Sequence, residues 1–130
     1  HAGNKLGVMV ELNCETDFVA NTPDFQELIR DIAMHIAAAK PRFATREEVT
    51  QETLDKEKEI FAHQAKESGK PENIIEKIVS GKMEKFYEEN CVLEQPFIKD
   101  TNITIQELIK QKIALLGENI NIGKFARFEI

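Results

Sequence analysis

Residues 6–36 read LGVMVELNCETDFVANTPDFQELIRDIAMHI, and two periods meet inside that run. Leu6, Val8, Val10, Leu12 and Cys14 alternate with Gly7, Met9, Glu11 and Asn13. A period of two lays one face of a β-strand against a core. From Phe25 the period changes: Phe25, Leu28, Ile29, Ile32, Ala33 and Ile36 recur at helical spacing and line one face of a helix. Thr22 and Pro23 stand where the period switches. Threonine is an N-cap, and proline at the first helical position gives up an N–H that has no partner there anyway. The helix has to stop before Pro41. A strand followed by a helix, each with one apolar face, calls for a layered arrangement.

Outward from this run, Arg42 to Thr50 reads as a loop. Gln51 to Glu67 predicts a charged helix with a narrow stripe of Leu54, Lys58, Phe61 and Ala65, stopped by Ser68-Gly69. Pro71 starts another helix, and Ile74, Ile75, Ile78, Val79, Met83, Phe86 and Tyr87 give it the cleanest amphipathic pattern in the chain. Gly81 inside that helix costs about 1 kcal/mol relative to alanine, so a close approach is expected there. Val92 to Ile98 reads as extended, with Pro96 limiting it to an edge or a loop. Thr104-Ile105-Gln106-Glu107 is a capping box opening a helix that carries Leu108, Ile109, Ile113 and Leu116. Gly117 is its natural left-handed terminator. Ile120, Ile122, Ala126, Phe128 and Ile130 then alternate as a closing strand, its apolar face broken by Lys124. The fold class expected is α+β: a small antiparallel sheet of the two terminal strands, covered on one face by several α-helices. There is no βαβ repetition, internal repeat or linker, so residues 1–130 form one domain.

The 130 residues are 42% hydrophobic and 31% charged, ordinary globular proportions. Lys and Arg number 17 against 23 Asp and Glu, a net charge of −6. An acidic chain without a basic stripe is a poor fit for phosphate backbones, so direct nucleic-acid binding is not expected. No apolar run approaches the roughly 20 residues that span a bilayer. The chain opens on His1 and the first strand pattern follows almost at once, so an upstream part of the native protein is expected to be missing.

The two cysteines, Cys14 and Cys91, make neither a CxxC nor a disulfide scaffold. Cys14 is expected to be a buried small hydrophobe. Cys91, just beyond a helix, is expected to be less tightly packed, with an intermolecular disulfide possible there and not favoured. His1, His35 and His63 are far apart and form no metal-ligand spacing; His35 beside an apolar stripe reads as a packed or surface histidine, and His63 as solvated. Glycine-rich phosphate loops and nucleophile elbows are absent. Neither a catalytic set, a metal nor a cofactor is expected, and an enzyme is disfavoured.

One segment resists a purely structural reading. Thr16-Asp17-Phe18-Val19 puts a large aromatic and a carboxylate in a short connection between strand and helix. A phenylalanine there commonly tucks under the adjoining elements. The alternative is a protruding anchor for a partner's pocket, flanked by a hydrogen-bonding acid.

Val10 to Ala20, VELNCETDFVA, closely resembles the signature of the translation elongation factor Ts family. The likeness continues in IAMHIAA (32–38), SGKP (68–71), GKMEKF (81–86), QPF (95–97), GENINI (117–122) and RFE (127–129), in order along nearly the whole chain. The resemblance implies a guanine-nucleotide exchange factor that promotes GDP release from the GTPase elongation factor Tu and does no covalent chemistry. It implies that Thr16, Asp17, Phe18 and Val19 form a partner-binding segment, in which Asp17 and Phe18 contact the GTPase's nucleotide-binding domain and the phenylalanine wedges behind the nucleotide site. Leu116 and Gly117 match an apolar-glycine pair contacting the same domain, and His1 stands where the family carries a histidine. The family's N-terminal helical module and a strand preceding His1 are not in this sequence. A single sheet-bearing unit resembles the short members, so a homodimer is expected, working in the bacterial cytoplasm or in an organellar matrix or stroma. The alternative is a dimerisation or scaffold fragment without exchange activity of its own.

Overall fold

The computed structural model describes residues 5–130; His1, named above, lies outside them. The alternating run is β1, Leu6–Asn13, and the closing run is β4, Asn121–Glu129. They pair antiparallel, Leu6 opposite Glu129 and Asn13 opposite Asn121. Between them come the helices α1 (Asp17–Ala20), α2 (Pro23–Ala39), α3 (Gln51–Glu67), α4 (Glu72–Asn90) and α5 (Ile105–Leu116). A small hairpin of β2 (Pro96–Phe97) and β3 (Asp100–Thr104) precedes α5. The α+β class is as expected: α2 lies against β1 of the ribbon, and α5 packs on α2.

The caps explain the helix limits. Thr22 Oγ1 accepts from Phe25 N at 3.2 Å, Thr50 Oγ1 from Thr53 N at 3.2 Å, and Thr104 Oγ1 from Glu107 N at 3.2 Å. Each satisfies an N–H that the first turn leaves without a partner. Gly117 ends α5 at φ 74°, its N–H donating to Ile113 O at 2.8 Å. Phe25, Leu28, Ile32 and Ile36 of α2, Ile105, Leu108 and Ile109 of α5, and Val92, Phe97 and Ile120 form one buried cluster. Val8, Val10 and Leu12 of β1 close it from the sheet side.

At the centre of this cluster's edge His35 is fully buried. Ile98 N donates to its Nδ1 at 3.3 Å, so the ring proton sits on Nε2 and is donated to Gln95 Oε1 at 2.8 Å. Gln95 Nε2 donates in turn to Glu89 O at 2.7 Å. One neutral imidazole therefore ties α2 to the β2–β3 hairpin and to the end of α4. Burial lowers its pKa from the ordinary 6.5, against the opposing pull of the Gln95 hydrogen bond.

Four expectations need correction. First, strict alternation fails in β4. Val10 pairs with Phe125 but Leu12 pairs with Ile122, so one extra residue bulges out of β4. The inner face passes from Ile122 to Phe125 and Arg127, and Phe128 is left 64% exposed. Arg127 uses its inward position to donate from Nε and Nη2 to Ala37 O, at 3.1 and 3.0 Å, near the C-terminal end of α2. Second, the extended stretch after Cys91 is a 3-10 turn, Val92–Glu94, followed by β2; its partner strand β3 is a strand the reading did not assign.

Third, the glycine inside α4 marks no packing contact. The apolar stripe of the helix itself holds: Met83 and Phe86 are buried beside Cys91 and Val49, Ile75, Ile78, Val79 and Tyr87 are half-buried, and only Ile74 of the stripe is exposed, with α4 packing chiefly on α3 and on the turn that follows it. A side chain at Gly81 would meet nothing within 4 Å, so no close approach occurs there. Fourth, the cysteines exchange their expected places. Cys91 is wholly buried, bridged to Phe43, and burial with Glu94 nearby pushes its thiol up to about 11. Cys14 is only half-buried, its thiol 3.2 Å from Thr16 O. An intermolecular disulfide through Cys91 has no surface to form on.

Candidate partner-binding site

The connection between β1 and α2 folds into a single helical turn, α1, rather than an irregular loop. Thr16 is its N-cap, with extended backbone (φ −135°, ψ 155°) and its Oγ1 accepting from Val19 N at 3.3 Å. The turn's far end is tied down too. Asn21 N and Nδ2 donate to Asp17 O, Thr22 Oγ1 donates to Val19 O, and Gln26 Nε2 donates to Ala20 O at 2.7 Å. Val19 drops into the main core cluster. Its neighbour Phe18 is thereby turned the other way and stands 88% exposed. Asp17, in the first turn beside it, is also exposed.

Leaving a phenylalanine ring in water forfeits about 1.5–3 kcal/mol that burial would return. Here that ring is held outward by an anchored residue on one side and a cap on the other. The tucked-under reading of Phe18 does not hold in this structure: the ring protrudes into solvent.

The second segment picked out by the sequence meets the first. Glu118 Oε1 accepts from Glu15 N at 3.1 Å and from Thr16 N at 2.9 Å, while its Oε2 accepts from Thr16 Oγ1 at 2.6 Å. In return Asn119 N donates to Glu15 Oε2 at 3.1 Å. The segment after α5 and the turn carrying Phe18 thus grip one another across 103 positions of sequence. Leu116 is half-buried against the core and Gly117 is exposed on the surface. Sequence reasoning passed over Leu115, which stands 63% exposed on the last turn of α5. It also passed over Glu118, whose role depends on contacts far away in the chain.

These segments bring onto one part of the surface an exposed ring, an adjacent exposed carboxylate and an exposed glycine. Among the described residues no group of three or more His, Cys, Asp or Glu gathers to hold a metal. No helix among them is long and apolar enough to cross a membrane.

Residues 1–130 match the model of a protein family described as Elongation factor TS. The chain is 57% identical over 130 residues to the Elongation factor Ts of Solibacter usitatus, covering 100% of this chain and 61% of that protein. It is also 57% identical to that of Carboxydothermus hydrogenoformans, covering 60% of it, and 55% identical to that of Moorella thermoacetica, covering 64%. The chain thus spans a little over half the length of these curated relatives.

Proposed function

Because the chain belongs to the elongation factor Ts family, we propose that it is a guanine-nucleotide exchange core acting on the GDP-bound GTPase elongation factor Tu, in the cytoplasm. The observation that carries this reading is the outward-held Phe18 with Asp17 beside it. Phe18 fills an apolar slot behind the nucleotide site, and Asp17 hydrogen-bonds at its rim. Val19 and Thr16 fix the turn from inside, while Gly117 offers its backbone to the same domain and Leu116 seats it. Release then follows from linkage: whatever favours the factor-bound GTPase without nucleotide must weaken nucleotide by the same factor. No covalent step, metal or cofactor of its own enters this scheme, and direct contact with nucleic acid is not part of it.

The test is the release of fluorescent GDP from elongation factor Tu on mixing with this chain. Acceleration that rises with the concentration of the chain is expected. Release at the spontaneous rate over the whole range would overturn the reading.

The homodimer is proposed to form through the outer face of the β1–β4 ribbon. Met9, 73% exposed, lies opposite Ala126 on the outer face of the β1–β4 ribbon, and Phe128 lies opposite Gly7 on the same face. Two such faces against each other would bury what each leaves in water. Sedimentation should give a dimer for the native chain and a monomer for the Met9→Glu, Phe128→Glu double variant. This surface also favours a second reading, a dimerisation module that binds elongation factor Tu without speeding release, which the same GDP assay would select.

A further inference from the structure

We propose that Glu118 is a positioning residue that sets the pose of the Phe18 turn; the inference rests on the exchange reading above. One carboxylate takes three donors from two consecutive residues, Glu15 N, Thr16 N and Thr16 Oγ1. Those donors are the N-terminal frame of α1. The Thr16 hydroxyl is committed in both directions: its proton goes to Glu118 and its oxygen accepts from Val19 N. Glu118 thus fixes the capping rotamer of Thr16, and the cap fixes the turn on which Phe18 is mounted.

No other side chain accepts from these donors in the described structure, and Glu118 is itself only half-buried, so its charge stays partly solvated. Hydrogen bonds to a charged acceptor are stronger than neutral ones, and several aimed at one group hold its geometry closely. Glu118 touches no expected partner atom in this scheme. It acts through Thr16, and Thr16 acts through the direction in which Phe18 points. Asn119 N returning a bond to Glu15 makes the clasp two-way, so the end of α5 and the turn keep a constant offset.

Two independent readouts test this. The first needs no GTPase. Hydrogen exchange of the Glu15 and Thr16 amides should speed by about tenfold or more in Glu118→Ala, while amides within α2 keep their protection. Unchanged exchange at both amides would overturn the clasp. The second measures affinity for GDP-free elongation factor Tu in a four-way cycle. Glu118→Ala should weaken binding about tenfold in the native background and less than about twofold when Phe18 is already alanine. Equal losses in both backgrounds would mean that Glu118 acts independently of Phe18, and would overturn the positioning role. Glu118→Gln, which keeps one carbonyl acceptor for the two amides, should restore part of both signals. If the native chain neither binds the GTPase nor releases GDP, the exchange reading fails, and the amide experiment still decides whether the clasp exists.

Discussion

Phe18→Ala should lower the acceleration of GDP release by about tenfold to a hundredfold while leaving the folded chain intact. The range follows from the roughly 1.5–3 kcal/mol that burying a phenylalanine side chain contributes, at about 1.4 kcal/mol per decade. The ring is 88% exposed in the free chain, so its removal takes little from the core. Surface substitutions of that sort shift stability by no more than about 0.5 kcal/mol. Stopped-flow release of labelled GDP reads the first effect and thermal unfolding reads the second. Wild-type exchange by the variant would sink the anchor role. A large fall in melting temperature would show instead that Phe18 serves the fold. Conservative replacement by leucine should retain more activity than alanine, since the slot is filled by apolar volume.

The largest effect on stability is expected inside the fold, at His35 of α2. Replacing it with alanine removes a fully buried side chain and strands Ile98 N and Gln95 Oε1. A cavity of that origin together with stranded polar groups costs about 3–5 kcal/mol, a large part of the total stability of a domain this size. Denaturant titration should show the midpoint fall steeply.

The same group makes stability depend on pH, with a sign fixed by its environment. Burial lowers the folded-state pKa of His35 below the ordinary 6.5. The unfolded chain therefore takes up the proton first as the medium is acidified. The contribution of the neutral ring is complete above about pH 6.5 and is lost as pH falls toward the lowered folded value. Protonation would also put a donor on Nδ1, facing the Ile98 N–H that now donates to it. Unfolding free energies measured between pH 7.5 and 5 should fall with acid in the native chain and change less in His35→Ala, as the roughly 1.4 kcal/mol carried by each pKa unit would have it. Parallel curves would show that other groups set the slope.

The parts of this fold that were legible in the sequence are those fixed by local chemistry. Thr22-Pro23 and the Thr104–Glu107 box carry their caps within one turn, and α2, α3 and α5 begin and end as their residues dictate. What escaped depends on partners far off in the chain. Cys91 looks like a residue at a helix end, yet its burial is made by Phe43 and by the second apolar cluster. The β2–β3 hairpin is too short and too polar, with Asp100, Thr101 and Asn102, to show an alternating pattern. Gly81 looked like a packing contact only because nothing local says that α4 has open space on that side.

The candidate site divides in the same way. Family likeness pointed to Phe18, but neighbouring residues could not say which way it faces. That is decided by Val19 entering the core and by Glu118 holding Thr16, both of them tertiary facts.

The bulge in β4 has a bearing on how such a chain tolerates change in length. A residue gained or lost in a strand ordinarily behaves like a frameshift, turning every later side chain to the opposite surface. Between Ile122 and Phe125 the strand takes three steps while β1 takes two. Deleting one residue there would leave Phe125 and Arg127 on the inner side and Phe128 on the outer, with a regular ladder in place of a kinked one. The inner and outer surfaces of this ribbon are therefore insulated from the count of residues at that point. What the surplus residue alters is the local twist of the strand, and with it the angle at which the outward face meets whatever lies against it.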